Sequence, residues 1–305
     1  MIDIVIVNWN SGNMLYSCIN SVLELKEKNI NKIIVVDNAS HDGSETFLNN
    51  NSNVTLIKSN ANLGFGMACN LGASRATGKY LLFLNPDAEL TKDALTESFN
   101  FMEHPNNSLY GALGIKLIDA NGHVAKSSCR FPTPTSMFFH SIGVDRLFTK
   151  AGYFMTDWDH NDSREVEHVI GAYYFIRREI FEKLHGFDER FFVYLEDLDL
   201  SLRVNKLGCK IFYLAEAEAF HVGGGTSNKV KALRLFYSTR SRLLYVAKHF
   251  SFLSSALIFV STLFIEPIIR IFLCALKRDF AGVTEALKGY YYLYRWLPSF
   301  FKKNY

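Results

Sequence analysis

An α/β fold with a mainly parallel sheet flanked by helices is predicted by three observations on this 305-residue sequence. Four apolar, β-branched runs crowd its first third: "IDIVIVNW", "KIIVVDN", "VTLIKSN" and "KYLLFLN". Helical spacing separates the first two, around Met14–Lys28, and returns before the last, around Gly66–Ala76. Each run also ends in polar residues. Short runs that are apolar throughout, alternating with helices, are expected of a parallel sheet covered on both faces.

The polar ends are Asn8 and Asn10, Asp37 and Asn38, Ser59 and Asn60, and Asn85 and Asp87. Ligands of open α/β sheets bind outside the carboxyl ends of the strands, where strand order reverses. Asn and Asp also favour turns on their own account. A turn explains any one of these positions better than it explains all four.

After a helix over Lys92–His104, the stretch from about Arg130 to Glu167 lacks periodicity but is rich in aromatics, as in "RFPTPTSMFFH". It reads as a substrate-covering loop, since long irregular segments in compact domains tend to be functional. A strand-like run at "EHVIGAYYFIRR", a short helix at "REIFEKLHG", an acidic segment and a strand at "KIFYLAE" follow. From about Lys229 the chain becomes helical and strongly apolar. "FLSSALIFVSTLFI" gives 14 largely apolar residues before Glu266 and Pro267, fewer than the ~20 that span a bilayer. "YYYLYRWLPSFFKKNY" mixes aromatics with basic residues, as interfacial segments do. A helix on the membrane surface, a buried helical subdomain and a span all remain open, the first favoured. The organisation expected is a catalytic domain over 1–230 and a helical, membrane-associating extension over 231–305.

A net charge of +3 is too small to argue for nucleic acid as a partner. Five cysteines without a C-x-x-C pair suggest reduced thiols in a cytosolic setting. "MIDIVIVNWN" enters a strand pattern without a basic leader, which agrees with that setting.

Three segments carry candidate chemistry. In "LLFLNPDAEL" a strand delivers Asn85, Pro86 and Asp87 to the crevice, where a carboxylate beside a diphosphate can bind a hard divalent ion. The competing reading is a helix cap by Asp87 or Thr91. In "FHVGGGTS", His221 leads into Gly223–Gly225, whose backbone can approach phosphates closely. Neither the P-loop nor the Rossmann fingerprint is present.

The third segment, "VYLEDLDLSLR", packs Glu196, Asp197 and Asp199 into four positions. A helix over Leu198–Lys206, ended by Gly208, would set these carboxylates near its first turn, where the dipole favours negative charge. Apolar surroundings and like charges instead raise a carboxyl pKa towards the range of a general base. Residues 197 and 199 cannot share a helix face. One could face the site while the other anchors the segment, with Arg203 at i+4 from Asp199. The residues alone do not say which.

Taken in order, "VIVNWNS", "VVDNASHDGS", "NANLGFGMACNLG", "LLFLNPDAEL", "GFDERFFVYLEDLDLSLR" and "FHVGGGTS" resemble family 2 glycosyltransferases of the GT-A fold. The resemblance is strongest to bacterial rhamnosyltransferases of polysaccharide and O-antigen assembly, and it covers about residues 1–230. It implies that Asp37 binds the pyrimidine base, with Asn8 and Asn38 nearby. Asn62 and Asn70 match the segment lining the nucleotide site. Asn85 and Asp87 match the metal motif, with His221 assisting a Mg²⁺ or Mn²⁺ ion. Asp197 matches the catalytic base, with Glu196 beside it, and Asp199 supports the helix.

Two departures from the family pattern stand out: Asn85 occupies the first position of the metal motif in place of Asp, and Cys69 stands where many relatives carry Arg. The implied reaction is an inverting transfer from a nucleotide sugar, dTDP-β-L-rhamnose or a UDP-sugar. The implied acceptor is a saccharide on a polyprenyl diphosphate, and the implied location is the inner face of the cell membrane, peripherally bound.

Overall fold

The computed structural model describes residues 1–49, 51–223 and 230–304. They fall into two compact units, one of Met1–Phe131, Phe154–Phe192 and Glu196–Thr226, the other of Pro132–Tyr153, Val193–Leu195 and Ser227–Tyr305.

The first unit is built on β1 (Ile2–Asn8), α1 (Asn13–Glu24), β2 (Ile30–Asp37), β3 (Val54–Lys58), α2 (Phe65–Ala73), β4 (Tyr80–Leu84), β5 (Ala88–Leu90), α3 (Ala94–Glu103) and β6 (Tyr110–Ile118). After β7 (Ser128–Cys129), the helix α4 (Pro134–Ser141) belongs to the second unit. The first unit resumes with β8 (Arg164–Val166), β9 (His168–Val169), β10 (Tyr173–Arg177), α5 (Arg178–Lys183), α6 (Glu196–Lys206) and β11 (Lys210–His221).

Its main sheet runs β3-β2-β1-β4-β10-β6-β11-β5, with β8 on β11. Strands β3, β2, β1 and β4 are parallel, as the four apolar runs predict. Strand β10 is antiparallel to its neighbours β4 and β6. The period-2 geometry of a strand sends alternate side chains to opposite faces. Ile4, Ile6, Val35 and Leu82 accordingly share one core with Leu15, Ile19 and Val22 of α1. Val5, Val7, Val36, Leu81 and Phe83 share a second core with Ala68 and Cys69 of α2. Both faces are covered, so the runs carry no polar alternation.

Strand β11 bends by an irregularity in its pairing with β6 between Leu214 and Glu218. Its far end then pairs with β5, with His221 opposite Ala88. This places the end of β11 against the residues just after β4.

The second unit continues with α7 (Lys231–His249), α8 (Phe252–Val260), α9 (Glu266–Leu276) and α10 (Phe280–Asn304). A π-helical turn over Ser261–Ile265 joins α8 to α9 without a break. It precedes Pro267, whose ring and missing N–H would disrupt a regular α-helix. Phe252–Leu276 is long and apolar enough to cross a membrane, with mean hydropathy 2.1, and 33% of its most apolar window is buried. Glu266, in this segment, pairs with Arg242 at 2.6 Å and Arg270 at 2.8 Å.

The stretch read as irregular holds α4, whose N-terminus is a capping box between Thr133 and Ser136 with Pro134 in the first turn. That signature is present in "PTPTS", with Ser in the place usually held by Glu or Gln.

Candidate active site

The first cluster forms where β1 and β2 end side by side. The Asn8 amide nitrogen lies 2.8 Å from Asp37 Oδ1, within reach also of the Ser40 and Ser44 hydroxyls. Next to it, Asn38 donates to Asn62 Oδ1 at 3.0 Å and accepts from the Leu63 amide at 2.8 Å. Asn8, Asp37, Asn38 and Asn62 are thus brought together. Asn70 is held elsewhere, its side chain accepting from the Phe187 amide and donating to the Phe187 carbonyl and to Glu189.

The second cluster joins the end of β4 to the end of β11. Asp87 Oδ1 and His221 Nε2 lie 3.3 Å apart, and the Asn85 amide nitrogen is 3.4 Å from the same imidazole nitrogen. The Val222 amide donates to the Asp87 carbonyl, fixing the two segments together. Helix α3 begins at Ala94 without a side-chain cap, and Thr91 donates to the Glu218 carbonyl instead. Neither Asp87 nor Thr91 is used as a cap. Gly224 and Gly225 of the glycine run lie outside the described residues.

The Asp87 carboxylate suits Mg²⁺ or Mn²⁺, with the His221 imidazole beside it as a further donor. Among the described residues no three His, Cys, Asp or Glu side chains converge as a complete metal cage. An ion here would draw further oxygens from a bound diphosphate, as such ions commonly do. The residues present fit the group on those terms.

The third cluster is the start of α6. This helix begins two residues earlier than its apolar spacing predicts, so all three carboxylates sit in its first turn. Asp199 is fully buried and pairs with Arg203 at 2.7 Å, the i+4 anchor expected from the sequence. Gly208, with φ of 83°, ends the helix region in the left-handed conformation. Asp197 accepts from the Gly171 amide at 2.8 Å through Oδ2 and from the Leu198 amide at 2.8 Å through Oδ1, and it remains partly exposed. Glu196 is buried, and its Oε2 has no hydrogen-bond partner. Burial, reinforced by the charge of Asp197, pushes the Glu196 carboxyl well above its ordinary range.

The approach to this turn is strained. Tyr194 and Leu195 both adopt positive φ, at 69° and 64°, which non-glycine residues rarely do. Just before them, the Phe192 carbonyl accepts from the Phe65 amide at 2.6 Å. A Cβ on Gly64 would lie 2.2 Å from that carbonyl oxygen, so the contact requires glycine there.

The link between the second and third clusters has no sequence signal. Gly171 donates to Asp197, and the next carbonyl, that of Ala172, accepts from the Asn85 amide at 3.1 Å. Two adjacent residues ahead of β10, Gly171 through its N–H and Ala172 through its carbonyl, therefore hold both segments.

The family model for glycosyl transferase family 2 matches residues 3–185. The chain is 26% identical over 270 residues to the N-acetylglucosaminyl-diphospho-decaprenol L-rhamnosyltransferase of Mycobacterium tuberculosis, covering 82% of this chain and 85% of that protein. It is 24% identical over 197 residues to the rhamnosyltransferase WbbL of Escherichia coli, covering 61% and 70%. Among solved structures it resembles a mannosyltransferase from Pyrobaculum calidifontis in complex with GDP-Man and Mn²⁺, with a TM-score of 0.56 and 14% identity over 96% of this chain and 84% of that one. That likeness is one of fold, and the fold is GT-A. On the family match over most of its length, the chain belongs to glycosyl transferase family 2 and is a glycosyltransferase.

Proposed function

We propose that this enzyme transfers L-rhamnose from dTDP-β-L-rhamnose, with inversion, to a hydroxyl of a saccharide carried on a polyprenyl diphosphate. The observation that carries this reading is the pair of bonds from residues 171 and 172 to Asp197 and Asn85. They tether a partly exposed carboxylate to the segment carrying Asp87, beside which His221 lies at the end of β11. The names of the relatives supply the choice of sugar and acceptor.

In this reading Asn8, Asp37, Asn38 and Asn62 receive the nucleotide base and its neighbouring groups. Asn70 supports the Phe187 turn behind them. Asp87 and His221 would hold a divalent cation, with Asn85 beside them, and that cation when bound neutralises charge on the nucleoside diphosphate. Asp197 accepts the proton of the acceptor hydroxyl as that oxygen bonds to the anomeric carbon. The bond from the anomeric carbon to the diphosphate breaks, and its electron pair leaves with the diphosphate. Burial and the neighbouring Asp197 charge favour the protonated form of Glu196. The proton-accepting role is therefore given to the partly exposed Asp197. With one base and no enzyme nucleophile, the configuration inverts.

The acceptor reading adds a membrane surface. Leu253, Leu257, Val260, Phe264, Ile268 and Phe272 are exposed along α8 and α9 at intervals of three or four residues. Such a stripe suits a helix lying in the interface of the cytoplasmic leaflet. The buried pair of Glu266 with Arg242 favours lying over spanning, since a span by this segment alone would strip that carboxylate of Arg242.

A donor panel tests the proposal: dTDP-rhamnose, UDP-glucose, UDP-galactose and UDP-N-acetylglucosamine, each with Mn²⁺ or EDTA, scored by binding and slow hydrolysis. Selective, metal-dependent recognition of dTDP-rhamnose is expected. Preference for a UDP-sugar would overturn the donor, and recognition of none would overturn the transferase reading of the site.

A further inference from the structure

We infer that His168 is a positioning residue for Asp197, packed against the carboxylate with its Nε2–H facing Oδ2. The inference rests on Asp197 being the base. His168 is 3% exposed, and its Nε2 lies 3.9 Å from Asp197 Oδ2. Its other ring nitrogen, Nδ1, is 2.9 Å from the Ser201 hydroxyl, which is 3.0 Å from the Tyr174 hydroxyl. Ser201 and Tyr174 are fully buried. Asp197 and Ser201 are four residues apart on α6 and so share a face of that helix. One imidazole, presented from β9, spans both.

The tautomer follows from counting protons. A serine hydroxyl has one proton, a tyrosine hydroxyl has one, and a neutral imidazole has one. If Nδ1 carried the imidazole proton, the Nε2 lone pair would point at the Asp197 carboxylate inside a buried site, acceptor against acceptor. With the proton on Nε2, Tyr174 donates to Ser201, Ser201 donates to Nδ1, and Nε2–H faces the carboxylate. Tyr174 and Ser201 then each have an acceptor, and Nε2–H, at 3.9 Å beyond direct hydrogen-bond reach, turns its positive end towards the carboxylate. Burial holds the imidazole below its ordinary pKa against the pull of Asp197, so the neutral form is the relevant one.

Gly171 N–H bonds Asp197 Oδ2 at 2.8 Å, and His168 Nε2 lies 3.9 Å from the same oxygen. The Gly171 and Leu198 amides fix the carboxylate plane, and the imidazole backs it, while the carboxylate stays partly exposed to an acceptor hydroxyl. A base held this way needs little reorientation when the proton moves, and a misplacement of about 1 Å can cost ~10²-fold in rate.

The test begins without substrate. A long-range ¹⁵N–¹H spectrum of the full chain labelled in histidine is expected to show His168 as the neutral Nε2–H tautomer, and Asp197→Asn is expected to shift its ring resonances. An Nδ1–H tautomer would overturn the inference. Kinetics follow with whichever of dTDP-rhamnose or the UDP-sugars is turned over. His168→Ala is expected to lower kcat about 10- to 100-fold with donor KM within twofold, and His168→Gln, which restores an N–H, to recover most of it. An unchanged kcat, or a loss that Gln does not rescue, would make His168 a packing residue only. Asp197→Asn run in parallel separates the failures: full turnover in that variant defeats the base assignment itself, whereas its inactivity beside a normal His168→Ala defeats only the role of His168.

Discussion

Asp197 accepts the Gly171 amide at 2.8 Å, and a Cβ on Gly171 would lie 3.4 Å from the same Oδ2 and 3.3 Å from the Phe65 ring. The glycine is therefore a spacer as well as a donor. Gly171→Ala should leave the fold intact, because these contacts are tight but end on side chains that can shift. Displacing the carboxylate should lower kcat about 10-fold or more, since reacting groups tolerate little misplacement. Steady-state kinetics beside a melting curve check this. A large loss of stability with normal kcat per folded molecule would contradict it.

Asp87 and His221, 3.3 Å apart, are expected to act as one unit towards metal and diphosphate. Asp87→Ala should abolish the metal-supported part of donor binding, and EDTA should remove that same part from the parent enzyme. His221→Ala should weaken metal-supported binding less, because the carboxylate carries the charge. Calorimetric titration of dTDP-rhamnose with and without Mn²⁺ measures each effect.

Glu196 gives a pH prediction. Its folded carboxyl titrates well above the ordinary 4.5 because it is buried beside Asp197. Between about pH 4.5 and that raised value, the folded state binds more protons than the unfolded state at this position. Stability contributed by this site therefore falls as pH rises through that window. Glu196→Gln removes the titration, so its stability relative to the parent should improve as pH rises from about 5 through that window. Denaturant unfolding at several pH values reads this directly, and a constant difference between the two proteins would contradict it.

The apolar stripe predicts a separable membrane function. Phe264 and Phe272 are 62% and 64% exposed, so replacing both with Glu removes no core contact. Each loses roughly 1.5–3 kcal/mol of apolar burial at a lipid surface. Co-sedimentation with anionic vesicles should fall by at least ~10-fold, with the melting temperature unchanged.

The parallel half of the sheet was legible in the sequence because strands buried on both faces cannot hide their β-branched runs. The Asp199–Arg203 pair was legible for a similar reason, being local to one helix turn. What joins His221 to Asn85 was not, since they are 136 residues apart and meet only through the pairing of β5 with β11. Gly171 and His168 were invisible for a different reason: a backbone donor and a lone buried histidine leave no periodic trace. Asn70 matched a motif, yet its amide is bound to Phe187, because an amide answers to the backbone groups nearest it rather than to its place in a pattern.

The most direct measurement is the kinetics of Asp197→Asn together with donor affinity. Asn keeps the size of the side chain and an oxygen for the Gly171 amide, but it cannot take a proton. General-base catalysis typically supplies ~10²–10⁴-fold, so kcat should fall by that factor with the donor dissociation constant within about twofold of the parent. Near-normal turnover in Asp197→Asn, or loss of donor binding with retained chemistry, would contradict the assignment of Asp197 as the base.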